Sequence, residues 1–304
     1  MVISDYVILV MGKGGVGKTT VSILLSLILS SLDNTLIYSL DPAKHLIKYL
    51  GIRNTMEYCR ISKTLTAYQL DVSKAINTVV DHYTSLIRDL IPSLSVLNLE
   101  DVLDIIKYSP GVEEEVFMKE LKRLYDLREY RYVVIDTPPT GITLRTLIMP
   151  KMYKVWLDKL VEVRERILSL RYTIARTLGR EFKVKDQVLE KLYELRTEYN
   201  SLWDGLRSEK TSYVLVSEPE VMPLLEVMDI IKFLEGELSV KPKLLVMNKF
   251  VDTLETSEVL KEFNLLPHDK LLIPKVEKPP STLDDMMELL RIIDKEYIMK
   301  LFKS

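Results

Sequence analysis

A single cysteine, Cys59, stands among the 304 residues. One thiol excludes an intrachain disulfide and any metal site built from two or four cysteines of one chain. Excess charge of one sign is also missing: 42 Lys and Arg face 44 Asp and Glu, a formal net charge of −2. A chain so balanced has no global attraction for nucleic acid or an acidic membrane, and no nucleic-acid partner is expected. Basic residues thicken only from Arg164 to Lys185, where acids at 158, 162 and 165 open the same stretch. That mixture reads as a solvated helix face. No apolar run reaches the ~18 residues of a membrane span. The first residues lack a basic segment leading into a signal-peptide core, so a cytoplasmic location is expected, with at most transient residence at a membrane. Repeats, low-complexity segments and Ser/Gly linkers are not seen.

Glycine is scarce but concentrated. Four of the ten glycines, Gly12, Gly14, Gly15 and Gly17, fall within the stretch GKGGVGKTT at 12–20. An apolar run, Tyr6 to Met11, precedes it, and Val21 to Leu32 follows as a buried helix. Strand, glycine-rich turn and helix in that order fit G-x-x-x-x-G-K-[ST], with Gly12, Gly17, Lys18 and Thr19 at the required offsets. Gly14, Gly15 and Gly17 let the backbone curl so that successive N–H groups point at phosphate oxygens. The helix starting near Lys18 adds its positive dipole end. Lys18 is placed to reach the β- and γ-phosphates of ATP, and the Thr19 hydroxyl to ligate Mg²⁺.

The rest of the chain supplies a parallel sheet. Thr35 to Leu40 reads as a second buried strand, ending at Asp41-Pro42-Ala43. Read alone, Asp41 is either an N-cap for a helix Ala43 to Leu50 or a functional carboxylate at a strand's C-terminal end. Leu65 to Leu70 is a third strand, and Val133 to Thr137 a fourth. The latter contains Asp136 where a P-loop enzyme keeps its second acidic residue, in the outer sphere of Mg²⁺. Tyr213 to Ser217, Lys243 to Met247 and Lys270 to Pro274 complete the strands, before a terminal helix from Ser281. Between them the period turns helical, over Ala75 to Leu90 and Leu99 to Lys107; Glu113, Glu114 and Glu115 then read as a first turn favoured by the dipole. Trp156, Leu160, Val163, Ile167, Leu170 and Ile174 are spaced 4-3-4-3-4, and Val188, Leu192, Leu195, Tyr199, Leu202 and Leu206 repeat that spacing. Two helices with such seams should pack as an antiparallel hairpin, joined through Gly179 to Lys185. The expected fold is α/β: a mostly parallel, doubly wound P-loop sheet forming one domain, 1–304, with a helical subdomain from roughly 73–129 and 150–209 inserted in it.

Lys13, a second lysine inside the loop, resembles the deviant P-loop of dimerising ATPases. The chain as a whole is more closely similar to the arsenite-pump ATPase family, which also holds the ATPase guiding tail-anchored membrane proteins. The resemblance runs through GKGGVGKTT at 12–20, DPA at 41–43, LTAYQLDVSKA at 65–75, PGVEE at 110–114, IDTPPTGITLR at 135–145, TSYVLVSEPE at 211–220, VMNK at 246–249 and IPKVEK at 273–278. It implies a homodimer in which Lys13 reaches the partner's nucleotide. It implies that Gly14 to Thr20, Val16 and Thr20 included, cradle the phosphates, that Asp41 orients or activates the attacking water, that Glu220 contacts the nucleotide, and that Asn248 hydrogen-bonds adenine. Pro274 joins the nucleotide-binding positions on the same ground. It further implies a hydrophobic membrane-protein segment, or a membrane-protein partner, as the client of an ATP-driven switch; an energy-coupling transporter subunit and a positioning ATPase are the alternatives. Apolar residues of the helical part, including Val102, Ile105, Ile106, Val116, Phe117 and Leu121, either line a client groove or form that part's own core.

Several positions depart from the family pattern. The first switch reads DPAKH, with Lys44 and His45, and Ile142 stands where GHTLR has its histidine. The paired CxxC that holds zinc between subunits in some members is missing, so no zinc is expected. Binding of As(III) by three thiolates of one chain is excluded.

Overall fold

The computed structural model describes residues 6–52, 54–90, 107, 109–179 and 186–303, leaving aside the side chains of 82–90, 254 and 255. Eight strands form one sheet: β1 (Tyr6–Met11), β2 (Thr35–Ser39), β3 (Cys59–Arg60), β4 (Leu65–Gln69), β5 (Tyr132–Asp136), β6 (Thr211–Ser217), β7 (Leu244–Phe250) and β8 (Lys270–Pro274). Their order is β3-β4-β2-β5-β1-β6-β7-β8. Every pairing is parallel except that of β3, an edge strand of two residues that carries no sequence pattern of its own. β1 lies between β5 and β6, with Val10 opposite Asp136 on one side and Met11 opposite Leu215 on the other. All seven parallel strands therefore end on the edge where β1 gives way to the glycine turn.

Alternation along the strands sorts the core into two faces. Val7, Leu9 and Met11 point to one side with Tyr38, Val133 and Ile135; Ile8 and Val10 point to the other with Val134, Val214 and Val246. The second face is covered by α1 (Lys18–Leu29), α9 (Leu283–Leu289) and α10 (Lys295–Phe302), whose Ile298 and Phe302 are fully buried. Beside α1, α2 (His45–Leu50) packs Leu46 and Leu50 over Ile37 and Ala67. The first face carries α3 (Val72–Leu90), α4 (Val112–Asp126), the start of α5 (Thr140–Thr177), the end of α6 (Gln187–Leu206), α7 (Val221–Phe233) and α8 (Leu254–Leu265). Helices on both faces of a parallel sheet make the doubly wound arrangement expected. The predicted helix Leu99–Lys107, but for Lys107 itself, and the connector 180–185 lie outside the described residues, as do Val102, Ile105 and Ile106.

One helical expectation needs correction, and another proves to have a further part. α5 and α6 do run antiparallel: Arg164 Nη2 meets Asp186 Oδ2 at 2.7 Å, Arg196 meets Asp158, and Tyr153 stacks on Tyr199. The face that α5 turns inward, however, carries Leu157 and Val161, not the 4-3-4-3-4 row. Trp156, Leu160, Val163, Ile167, Leu170 and Ile174 are all exposed, Trp156 at 70% and Val163 at 56%. The row is offset by one residue, about 100° around the helix, from the contact face. The acids opening α4 stand in its first turn as expected, and two of them do more than match the dipole. Glu114 and Glu115 are buried, Glu114 accepting from Arg145 Nε at 2.6 Å and Glu115 from the Tyr153 hydroxyl at 2.9 Å. They tie α4 to α5. Val116, Phe117 and Leu121 belong to the core.

A candidate nucleotide site at the strand ends

The glycine turn is shaped by two close approaches. Gly12, at φ 151°, lies so near β6 that a Cβ would sit 2.3 Å from the Val216 carbonyl oxygen. Gly17, at φ 89°, would place a Cβ 2.2 Å from Asn248 Nδ2. Only glycine fits either position. Gly14 and Gly15 differ: nothing lies within 4 Å of a Cβ built there, and both are exposed. Their missing side chains leave open space on the outer side of the loop, which suits a cradle for phosphates. Val16 is buried beneath the loop, and Thr20 is buried in the first turn of α1. That turn contains no acid, in contrast to α4, so its free N–H groups and positive dipole end meet no competing carboxylate of their own.

Lys18 folds back over the loop, donating to the Gly12 carbonyl at 3.1 Å and the Lys13 carbonyl at 3.3 Å. Burial lowers its pKa from the ordinary lysine value, against the opposing pull of Asp136, Asp41 and Glu226. An ammonium held in this way is poised to exchange two carbonyl oxygens for phosphate oxygens. Lys13 is half-buried, and its side chain makes no hydrogen bond or ion pair among the described residues.

Asp136 closes the floor of the site. Its Oδ2 accepts from Thr19 Oγ1 at 2.8 Å and from Ser39 Oγ at 3.1 Å. Its Oδ1 is buried and has no hydrogen-bond partner among the described residues. Burial pushes the carboxyl up to about 6, only partly offset by the hydrogen bond from Thr19. An orphaned carboxylate oxygen behind a threonine hydroxyl fits a hydrated divalent cation, since Mg²⁺ keeps several waters and takes few protein ligands. No group of three or more His, Cys, Asp or Glu able to hold a metal occurs among the described residues.

Asp41 lies just past β2. Its backbone N–H donates to Ser39 Oγ at 3.3 Å, and its Oδ1 accepts from Ala43 N at 2.9 Å. α2 starts only at His45, with Lys44 in the cap position, so Asp41 is not the helix N-cap. Asn248 lies within β7, buried, its Nδ2 donating to the Val16 carbonyl at 2.8 Å. The structure thus shows it bracing the loop from below. Glu220 is exposed at the start of α7, and Pro274 is exposed at the end of β8, on the same edge of the sheet.

Three residues without an assigned role enter the site. Ser39 bridges Asp41 and Asp136. Lys249, in the left-handed region at φ 56°, donates to the Gly15 carbonyl at 3.1 Å and pairs with Glu218 Oε1 at 2.5 Å. No spacing rule points to them; Lys249 was visible only as the residue after Asn248.

Comparison with known proteins agrees with this geometry. A family profile described as anion-transporting ATPase matches residues 5–265. A protein of Aquifex aeolicus with the provisional name arsenical pump-driving ATPase 2 is 27% identical over 253 residues, 82% of each chain. ATPase GET3A of Arabidopsis thaliana is 29% identical over 222 residues, 71% of this chain and 59% of its own. An ATPase ASNA1 homolog of Plasmodium vivax is 29% identical over 228 residues, 72% of this chain and 57% of its own. The matches therefore span less than two thirds of these two eukaryotic relatives.

Proposed function

The chain belongs to the anion-transporting ATPase family, and from that membership we propose a dimeric switch ATPase whose nucleotide state governs capture and release of a hydrophobic membrane-protein segment. In this reading ATP lies across Gly14 to Thr20, Lys18 swings from the loop carbonyls to the phosphates, and Asp41 orients the attacking water. Asn248, Glu220 and Pro274 border the nucleoside. Mg²⁺ would be held by Thr19 with Asp136 behind it, and when bound would neutralise charge on the phosphates. Lys13, whose ammonium is uncommitted, serves the partner's nucleotide in a homodimer. The helical stretches 73–129 and 150–209 act as the client-handling subdomain.

One observation carries the client role. Met152, Trp156, Leu160, Val163, Ile167, Leu170, Ile174 and Leu178 form an exposed apolar row along α5 and its C-cap. At 1.5 Å per residue it is roughly 39 Å long, enough to lie along a membrane-spanning helix. Monomers rarely leave so long a row uncovered. Its lower end, Met152, borders a cavity of about 1190 Å³ that also touches Ile142 and Arg145 of the IDTPPTGITLR segment and Ser73 and Ile76 of α3. A transporter-coupling role draws on the Aquifex relative's name, and it would set the same row against a membrane protein.

Trp156 reports directly on this surface. In a Trp203→Phe background it is the only tryptophan, since the chain has two. Its emission should shift to the blue when the ATP-bound Asp41→Asn protein meets a soluble carrier ending in a transmembrane segment, and return with ADP. Identical spectra with and without the carrier, in both nucleotide states, would reject the client role.

A further inference from the structure

The turn that carries Asp41 is tied from behind. The Asp41 carbonyl accepts from Lys44 N at 3.3 Å and from Gln69 Nε2 at 3.0 Å. Lys44 itself is in the left-handed region, at φ 54°, which is uncommon for a lysine. Such a conformation persists where the surroundings hold it. Besides the backbone bond to Asp41, its side chain is anchored: Lys44 Nζ reaches Asp71 Oδ2 at 2.9 Å.

Asp71 is built to receive it. Only 8% exposed, it sits at the mouth of α3, with Oδ1 accepting from Lys74 N at 3.4 Å and Oδ2 also accepting from Thr55 Oγ1 at 3.3 Å. Its carbonyl accepts from Ala75 N at 2.9 Å. The hydrogen bond from Lys44 is the main cause holding its carboxyl below the usual carboxylate range. The acceptor is therefore fixed in place by the start of α3, while the donor sits three residues from Asp41 on a two-residue linker containing proline.

We propose that Lys44 and Asp71 form a positioning pair for ATP turnover: the ion pair holds the Asp41 turn where its carboxylate can orient the attacking water. The inference rests on the reading of Asp41 as the water-orienting group. It gives Lys44, one of the departures from the family pattern, a role in rate rather than in nucleotide affinity. A misplacement of about 1 Å at such a group costs up to a hundredfold in rate.

Four single variants separate the ammonium from the backbone. Lys44→Met keeps the stem and the left-handed strain, Lys44→Asn eases the strain, Lys44→Arg keeps the charge, and Asp71→Asn removes the acceptor's charge. Turnover at saturating ATP should fall roughly tenfold or more in Lys44→Met, Lys44→Asn and Asp71→Asn, with ATP affinity within about twofold. Lys44→Arg should retain most of the rate. The double variant Lys44→Met/Asp71→Asn should be no slower than either single, because the two act as one unit. Full turnover in Lys44→Met, a wild-type rate in Lys44→Asn, or additive losses in the double variant would each overturn the pair. A lowered melting temperature with unchanged turnover would leave it a structural clamp and likewise reject it. Asp41→Asn, measured alongside, distinguishes the two failures. If Asp41→Asn turns over normally, the water-orienting reading falls and the positioning pair falls with it. If Asp41→Asn is inactive while Lys44→Met is not, the pair alone is wrong.

Discussion

α1 and α5 each leave the C-terminal end of a central strand, yet they bury opposite amounts of themselves. Of the twelve residues of α1, all but Leu27 are buried, including Lys18, Thr19 and Thr20. In the 38 residues of α5 only Thr143, Thr146, Leu147, Pro150, Leu157 and Val161 are. α1 lies between the sheet and α10, so every face meets protein. α5 starts over the sheet and against α4, then continues past them beside α6 among the described residues. A helix that is apolar on all sides has one solution; a helix with two apolar faces can satisfy one partner and leave the other face open. That open face is the reason a client role is proposed for α5, whereas α1 offers a ligand only its N-terminus, behind the glycine turn.

Matched substitutions should separate the two helices. Leu25→Glu in α1 puts a charge among fully buried side chains, at a cost of several kcal/mol against a total stability of roughly 5–15 kcal/mol. The variant should fail to fold, as circular dichroism and solubility would reveal. A folded, ATP-binding Leu25→Glu protein would contradict the packing of α1. At the loop that precedes α1, Lys13→Ala should bind ADP almost normally. It should lose about a hundredfold or more in turnover if the lysine serves the partner's phosphates. Mixed dimers with Asp41→Asn subunits should regain activity, because each then contains one complete site. No recovery, with mixed dimers shown to form, would place the lysine's action within its own subunit.

Asp136 gives a smaller effect of opposite sign. Its folded pKa is raised, to about 6, so the folded state binds more protons than the unfolded one between the ordinary aspartate value and 6. Stability of the nucleotide-free protein should therefore fall as pH rises through that window, and the cost should be fully present at pH 7.5. Asp136→Asn should raise the melting temperature there, by about 1–3 kcal/mol in stability, while Mg²⁺-dependent turnover is lost. A lower melting temperature at pH 7.5 would mean that the buried carboxylate is a net stabiliser. Least affected should be Val163→Glu on the exposed row: stability within about 0.5 kcal/mol and unimpaired turnover, but loss of the Trp156 response to a transmembrane segment. A large drop in melting temperature would show that the row is covered in solution.

Sequence and structure divide the site unevenly. The positions of the loop, its lysine and threonine were legible because the loop pattern sets their spacing along the chain, and those of Asp41 and Asp136 because each stands where a buried strand ends. Ser39, Glu218 and Lys249 were not legible: Ser39 meets Asp136, and Lys249 meets Gly15 and Glu218, across strands far apart in sequence, and left-handed backbone at Lys249 has no signal in its neighbours. The edge strand β3 is too short for a period.

By itself, then, the sequence determined the strand–turn–helix unit at 6–29, the run of parallel strands, and the amphipathic character of α5 and α6. These follow from local sterics and from alternation with periods of 2 and 3.6, which each segment carries within itself. Tertiary structure alone decided which apolar face of α5 is buried, that Glu114 and Glu115 join two helices, and that Lys44 closes on Asp71. Periodicity names faces, whereas burial depends on which neighbour arrives, and that is settled only when the whole sheet and both helical layers compete for the same surfaces.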